Sequence, residues 1–171
     1  MSPDGEVHPA ALPDDDLLAQ CQSQRSRASG PGGQHRNKVE TAIRLTHQPT
    51  GVAAQASERR SQAENRRVAL RRLRLQLAMH VRRDYPATGP SPTWRERTNA
   101  NRLAINPKHT DFPALLAEAL DAIAAVGYDL PRAALIQGIS TSQMIKLLRH
   151  EPAVLAQVNQ ARQDRGMGSL K

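Results

Sequence analysis

The residues best suited to chemistry are crowded into one run, Arg27, Ala28, Ser29, Gly30, Pro31, Gly32, Gly33, Gln34, His35, Arg36, Asn37 and Lys38. The run holds three of the ten glycines and no large apolar side chain. Gly-Pro-Gly-Gly interrupts helix and strand patterns alike, so an exposed loop is expected. Gly32 and Gly33 open backbone conformations closed to other residues and allow close approach to a ligand. Gln34 adds an amide that both donates and accepts. The titratable groups here are His35 and cations, and no Ser-His-Asp or Cys-His arrangement is present, so the loop lacks a side-chain nucleophile or strong base. Its tools are backbone N–H groups and one amide, which can stabilise a developing oxyanion and position a water. That suits an activated substrate, such as an ester, held in a site that a partner mostly supplies. A nucleotide-binding loop is disfavoured, because no Gly-Lys-Ser/Thr follows and no apolar strand precedes.

The flanking periodicity indicates what must hold this loop. Residues 21–27 are polar and expected to be extended. Val39, Thr41, Ile43 and Leu45 alternate with polar or small residues, the period of a half-buried strand. Gln48-Pro49-Thr50-Gly51 is a turn sequence, and Val52 to Ala56 returns as a second strand, giving an antiparallel hairpin. Ser61 and Glu64 have the spacing of a capping box and open a long helix expected over about 62–83. Leu70, Leu73, Leu77 and Val81 form its core stripe, widened by Leu75 and Met79. Arg67, Arg71 and Arg74 form a second, basic stripe, so the helix should lie across the hairpin with one face buried and one face cationic.

Charge is strongly segregated. Residues 1–20 carry −5, residues 21–110 carry +13, and residues 111–171 carry zero, within a net +8. Arginine supplies 16 of the 18 basic residues in the central block. Arginine is weakly hydrated and forks onto phosphate, so the middle of the chain points to RNA or DNA. Aromatics make up 2% of the chain, all at or after Tyr85, so base stacking is not the device of the loop. The single cysteine, Cys21, excludes an intrachain disulfide and suits a reducing compartment. The acidic start is not a signal peptide, and no apolar run has the length of a membrane span. The six histidines are scattered, so neither a metal nor another cofactor is expected.

The C-terminal part has a different character. Residues 1–12 read as a disordered arm, and Asp14-Asp15-Asp16 before Leu17-Leu18 reads either as a short helical turn or as more of that arm. Residues 84–109 read as a proline-rich linker, stiff and extended to Pro92. Thr110-Asp111 is expected to cap a helix through Leu116, Leu120, Ile123 and Val126. A short helix follows from Asp129, Gly138 breaks it, Ser140 caps a third helix, and Pro152 begins a fourth that stops at Gly166. These are the parts of a helix-turn-helix. A helical docking module is favoured over a DNA reader, since the region is neutral and its recognition-like helix offers Lys146, Arg149 and His150. The fold expected is α/β in the α+β sense: a catalytic domain over 13–83, a helical module over 110–166, and a short tail over 167–171.

Gly32-Gly33-Gln34 resembles the signature of class I peptide chain release factors. The resemblance extends in order and spacing from Ser26 to Lys38, then to Arg44-Leu45-Thr46-His47 with Pro49-Thr50-Gly51, then to Arg60-Ser61-Gln62 with Asn65-Arg66. It covers about residues 14–83. It implies a domain that enters the large ribosomal subunit and hydrolyses the ester of peptidyl-tRNA. Gln34 would admit or coordinate the water while its backbone N–H stabilises the transition state, and Gly32 and Gly33 would shape the loop. Arg27, Arg36, Asn37, Lys38, Arg59, Arg60, Arg66, Arg67, Arg71 and Arg74 would meet 23S-type rRNA. The resemblance also implies a glutamine methyltransferase acting on Gln34. The residues before Arg27 are too few for a codon-reading domain, and Pro86-Ala87-Thr88, which matches a stop-codon-reading tripeptide, lies on the wrong side of the loop. The layout is therefore similar to short, codon-independent rescue hydrolases, though their basic tail is replaced here by a neutral one. A monomeric cytoplasmic enzyme is expected. The alternative is a non-enzymatic RNA- or DNA-binding protein, against which the retained glycines argue.

Overall fold

The computed structural model describes residues 7–26 and 41–171. The chain forms two compact units, one of Pro9–Val81 and one containing Arg82–Lys171. The mixed α/β class matches the expectation.

In the first unit a 3-10 turn at Pro9–Ala11 precedes helix α1 (Asp14–Ala19). Three strands follow: β1 (Cys21–Ser26), β2 (Ala42–His47) and β3 (Ala53–Ala56). They form an antiparallel sheet in the order β1-β2-β3. The expected hairpin is thus the β2–β3 half of a three-stranded sheet, and the extended lead-in is its third strand. Period-two burial holds in β2, where Ile43, Leu45 and His47 are buried and Arg44 is exposed. Helix α2 (Gln62–His80) packs on β2 and β3. Ser61 caps it by accepting from the Glu64 N–H. Leu70, Leu73 and Leu77 are buried with Ala69 and Ala78, and each leucine contributes about 2 kcal/mol of burial. The helix ends three residues short of the expected 83, with Val81 extended.

Residues 9–11, expected within a disordered arm, are structured because Pro9 and Ala10 are buried and Arg74 donates to the Ala10 carbonyl at 2.8 Å. Of the two readings of Asp14–Asp16, the structure takes the helical one. The three carboxylates sit in the first turn of α1, where the helix dipole favours negative charge.

The second unit is built on helix α4 (Phe112–Ala125), buried on most of its surface, with α5 (Leu130–Ile136) and α6 (Thr141–Arg149) against it and α7 (Pro152–Gln163) packed on α6. Asp129 and Ser140 cap α5 and α6 through the N–H groups of Arg132 and Gln143. Gly138 has φ +66°, the left-handed turn that separates the helix-turn-helix pair. Asp111 makes no side-chain cap of α4; it accepts from Arg97 instead.

The stretch expected as a linker contains helix α3 (Pro92–Arg97) and a hairpin of β4 (Thr98–Asn99) and β5 (Arg102–Leu103). Trp94 explains why. It is fully buried, and its indole N–H donates to the Gln137 carbonyl at 2.8 Å. Ser91 donates through its backbone N–H and hydroxyl to the Glu118 carboxylate.

Asp121 is buried and accepts at 3.0 Å from both the Arg82 guanidinium and the Arg83 N–H. Burial, only partly offset by these donors, pushes its carboxyl up to about 6. The folded unit therefore keeps a proton that the unfolded chain releases near pH 4, so its stability should fall as pH rises from about 4 to about 6, by about 3 kcal/mol. Trp94 is the sole tryptophan and reports on this unit. Urea midpoints followed by its fluorescence are expected to drop across that window in the wild type and to stay level in Asp121→Asn. A level wild-type profile would mean that Arg82 keeps Asp121 charged.

Candidate functional site

The register of the sheet sorts the first unit into two ends. Ser26 pairs with Ala42, and Ile43 with Ala56, at one end; Cys21 pairs with His47, and Thr46 with Ala53, at the other. Residues 27–41 therefore join adjacent strands between paired positions. Gly32, Gly33 and Gln34, with Arg27, Arg36, Asn37 and Lys38, lie outside the described residues.

What holds the flank of this segment is visible. Asn65, in the first turns of α2, has no solvent exposure. Its amide nitrogen donates to the Thr41 carbonyl at 2.7 Å and to the Arg59 carbonyl at 2.9 Å. Its amide oxygen accepts the Arg59 N–H at 2.9 Å. One side chain thus satisfies three backbone groups and ties the start of β2, the turn after β3 and the N-terminal end of α2 together.

The opposite end has its own buried anchor. His47 Nε2 lies 2.9 Å from Gln20 Oε1, which can only accept, so Nε2 donates. In the neutral ring Nδ1 then accepts from the Thr50 hydroxyl at 2.7 Å, and that hydroxyl's oxygen also receives the Val52 N–H. Strand β1 and the β2–β3 turn are pinned there, which secures the sheet register.

The expected cationic surface is divided by these contacts. Arg59 and Arg60 are exposed in the turn that Asn65 holds, and Arg66, Arg67 and Arg71 are exposed on α2. Arg59, Arg60, Arg66 and Arg67 lie near the end of the unit from which residues 27–41 leave, because Asn65 fixes that end of α2 to Thr41. Arg74 departs from the expected stripe. Its side chain is 12% exposed, with its guanidinium on Asp14 at 2.6 Å and on the Ala10 carbonyl. Arg72 likewise braces the sheet, on Glu58 at 2.7 Å and the Gln55 carbonyl at 2.8 Å. The Ser57 N–H, helped by Arg72, holds the Glu58 carboxyl below its ordinary range. Sequence reasoning did not select Arg44, which is exposed on the sheet between Gln24 and Gln55. The strand period that predicted Ile43 and Leu45 inward also turns Arg44 outward.

The first unit is thus a small three-stranded sheet on one helix, with a glycine-rich segment of sequence between its first two strands and exposed arginines near that end. The sequence matches the RF-1 domain family over residues 9–104, more than half of the chain, and the chain belongs to that family. It is 56% identical over 57 residues to peptide chain release factor 2 of Variovorax paradoxus (strain S110), covering 33% of this chain and 16% of that protein. It is 40% identical over 87 residues to peptide chain release factor 1 of Xylella fastidiosa (strain 9a5c), covering 51% and 24%. It is 57% identical over 51 residues to peptide chain release factor 1 of Ureaplasma parvum serovar 3 (strain ATCC 27815 / 27 / NCTC 11736), covering 30% and 14%. The chain therefore spans less than a quarter of the length of these relatives. No helix among the described residues is long and apolar enough to cross a membrane.

Asn65→Ala leaves three backbone groups without their partner and is expected to destabilise the first unit by about 1–3 kcal/mol. Asn65→Asp should cost at least as much, because a carboxylate oxygen would face two carbonyls. Urea titration followed by far-UV circular dichroism should show an early transition in both variants, while the Trp94 fluorescence transition stays at its wild-type midpoint. A single unshifted transition would remove Asn65 from this role.

Proposed function

We propose that this chain hydrolyses the ester of peptidyl-tRNA on the large ribosomal subunit, and does so without decoding a stop codon. The observation that carries the reading is the run Gly32-Gly33-Gln34 in the connection between paired strands of an RF-1 domain. The likeness to release factors over that domain supports the same conclusion.

In this reading the protein supplies little reactive chemistry of its own. Gly32 and Gly33 let the backbone lie against the ester, the Gln34 N–H stabilises the oxyanion formed as water attacks, and the Gln34 amide positions that water. Arg27, Arg36, Asn37 and Lys38, with Arg59, Arg60, Arg66, Arg67 and Arg71, hold the unit on 23S-type rRNA. Gln34 is also the site that a glutamine methyltransferase would modify. The work is cytoplasmic, where ribosomes are, and one molecule suffices for it.

The test is peptide release from ribosomes carrying labelled peptidyl-tRNA, with the A site empty, at a sense codon, or at a stop codon. Release is expected with the A site empty and without preference for a stop codon. Gln34→Ala and Gly33→Ala should each slow it by roughly 100-fold, the scale of losing one preorganised transition-state contact. No release in any state would favour a non-enzymatic RNA-binding protein, and release confined to stop codons would overturn codon independence.

A further inference from the structure

In the second unit, an open groove of about 540 Å³ runs between the β4–β5 hairpin and helix α6. Asn99 and Arg102 line it from the hairpin and Gln143 and Lys146 from α6, over a floor that includes Leu103 and Ile105. A smaller recess sharing Lys146 continues toward His150. None of the residues lining either part is acidic. Arg149 follows Lys146 by three residues on α6 but lines neither part, its guanidinium donating to the Lys171 carbonyl.

The groove is a fixed structure rather than a gap between mobile parts. The hairpin turns through Ala100 and Asn101, at φ +47° and +61°, a left-handed pair for which Asn-Gly is the usual choice. Ala100 holds this conformation at a cost of about 1 kcal/mol. Two hydrogen bonds keep the hairpin in place. The Asn101 carbonyl accepts the Ser140 N–H at the start of α6, at 3.0 Å, and the Ala104 N–H donates to the Arg97 carbonyl at 2.9 Å. A strained turn pinned to the cap of the neighbouring helix is the kind of backbone expense found at working sites.

We infer that this groove binds RNA, with Arg102 and Lys146 on its phosphates and Asn99 and Gln143 on ribose and base edges. An exposed helix flanked by a hairpin offers charges on both sides of a strand, the arrangement that sets register on a sugar–phosphate backbone. RNA is favoured over an acidic peptide by the paired carboxamides, which meet both donors and acceptors, and by the first unit's arginines. Those would raise the local RNA concentration for a second site on the same chain. The inference rests on the RNA-binding half of the function proposed above and not on hydrolysis.

The experiment measures binding of the full chain to a short RNA duplex from about 50 to about 200 mM KCl. Wild type is compared with Arg102→Gln/Lys146→Gln, with Arg102→Lys/Lys146→Arg, and with Arg66→Gln/Arg67→Gln in the other unit. The groove variant should bind about tenfold more weakly and lower the slope of log Kobs against log salt by about 2, one for each phosphate contact. The charge-keeping swap should retain most of the slope, and Trp94 fluorescence should match wild type in every variant. Wild-type affinity and slope in a folded groove variant would overturn the inference. So would equal dependence on Arg102 and Lys146 for a polyglutamate peptide, or tighter binding of the matching DNA duplex. Loss of effect in the Arg66/Arg67 variant alone would instead count against the RNA surface of the first unit.

Discussion

The first unit depends on one buried amide. Asn65 spends its three hydrogen bonds on backbone groups of two other segments, and no other residue type of that size could make the same set. Aspartate lacks the donors, leucine satisfies nothing, and glutamine would shift the amide by a methylene in a site with no exposure. The consequence is geometric. Strand β2 starts, and the turn after β3 ends, at fixed positions against α2, so the connection between β1 and β2 springs from a rigid base. Catalysis by backbone amides requires that rigidity more than catalysis by a strong side-chain base would. A misplaced N–H contributes little, whereas a preorganised one acts at full strength in a water-excluded site.

The same helix solves an electrostatic problem. A block at +13 would repel itself if every charge stood free. The structure engages two of the α2 arginines within the first unit, Arg74 half-buried on Asp14 and a carbonyl, and Arg72 at the surface on Glu58 and a carbonyl. The acidic segment at Asp14–Asp16 thus serves the fold by partnering part of the basic block. The arginines left on the surface toward the start of α2 belong to the same end as the glycine-rich connection, so attraction to a polyanion would draw that end toward its target.

Most of the first unit was legible because its signals are local. Alternation set β2, the Ser61–Glu64 spacing set the start of α2, and Leu70, Leu73 and Leu77 set its buried face. Strand β1 was not legible as a sheet member because Cys21–Ser26 alternates nothing. It is a polar edge whose pairing is decided by β2 across a long connection. Arg74 was assigned to a basic stripe because helical spacing places it there, and only the distant Ala10 and Asp14 reveal its use. The expected linker failed for a similar reason. Its prolines and polar residues conceal Trp94, whose burial depends on Gln137 and α4, far along the chain. Asn65 carried no signal of its own beyond its place in the family pattern.

On the proposed function, the two units would divide the labour in a way that follows from how little reactive chemistry residues 27–38 contain. A site without a side-chain nucleophile or strong base would work only where its partner completes it, so its rate would be limited by how often and how accurately it is placed. Placement has an accuracy component, which the sheet, α2 and Asn65 would supply. It also has an occupancy component, which a second RNA contact on the same chain would supply without touching the reacting ester. The second unit has the features required for that task. Its core holds Trp94 and the α4 helix, and two of its cations, Arg102 and Lys146, line a groove whose walls are joined by the Asn101–Ser140 hydrogen bond. A groove with two fixed cations would favour a particular RNA shape over RNA in general, whereas the diffuse arginines of the first unit would not discriminate in that way.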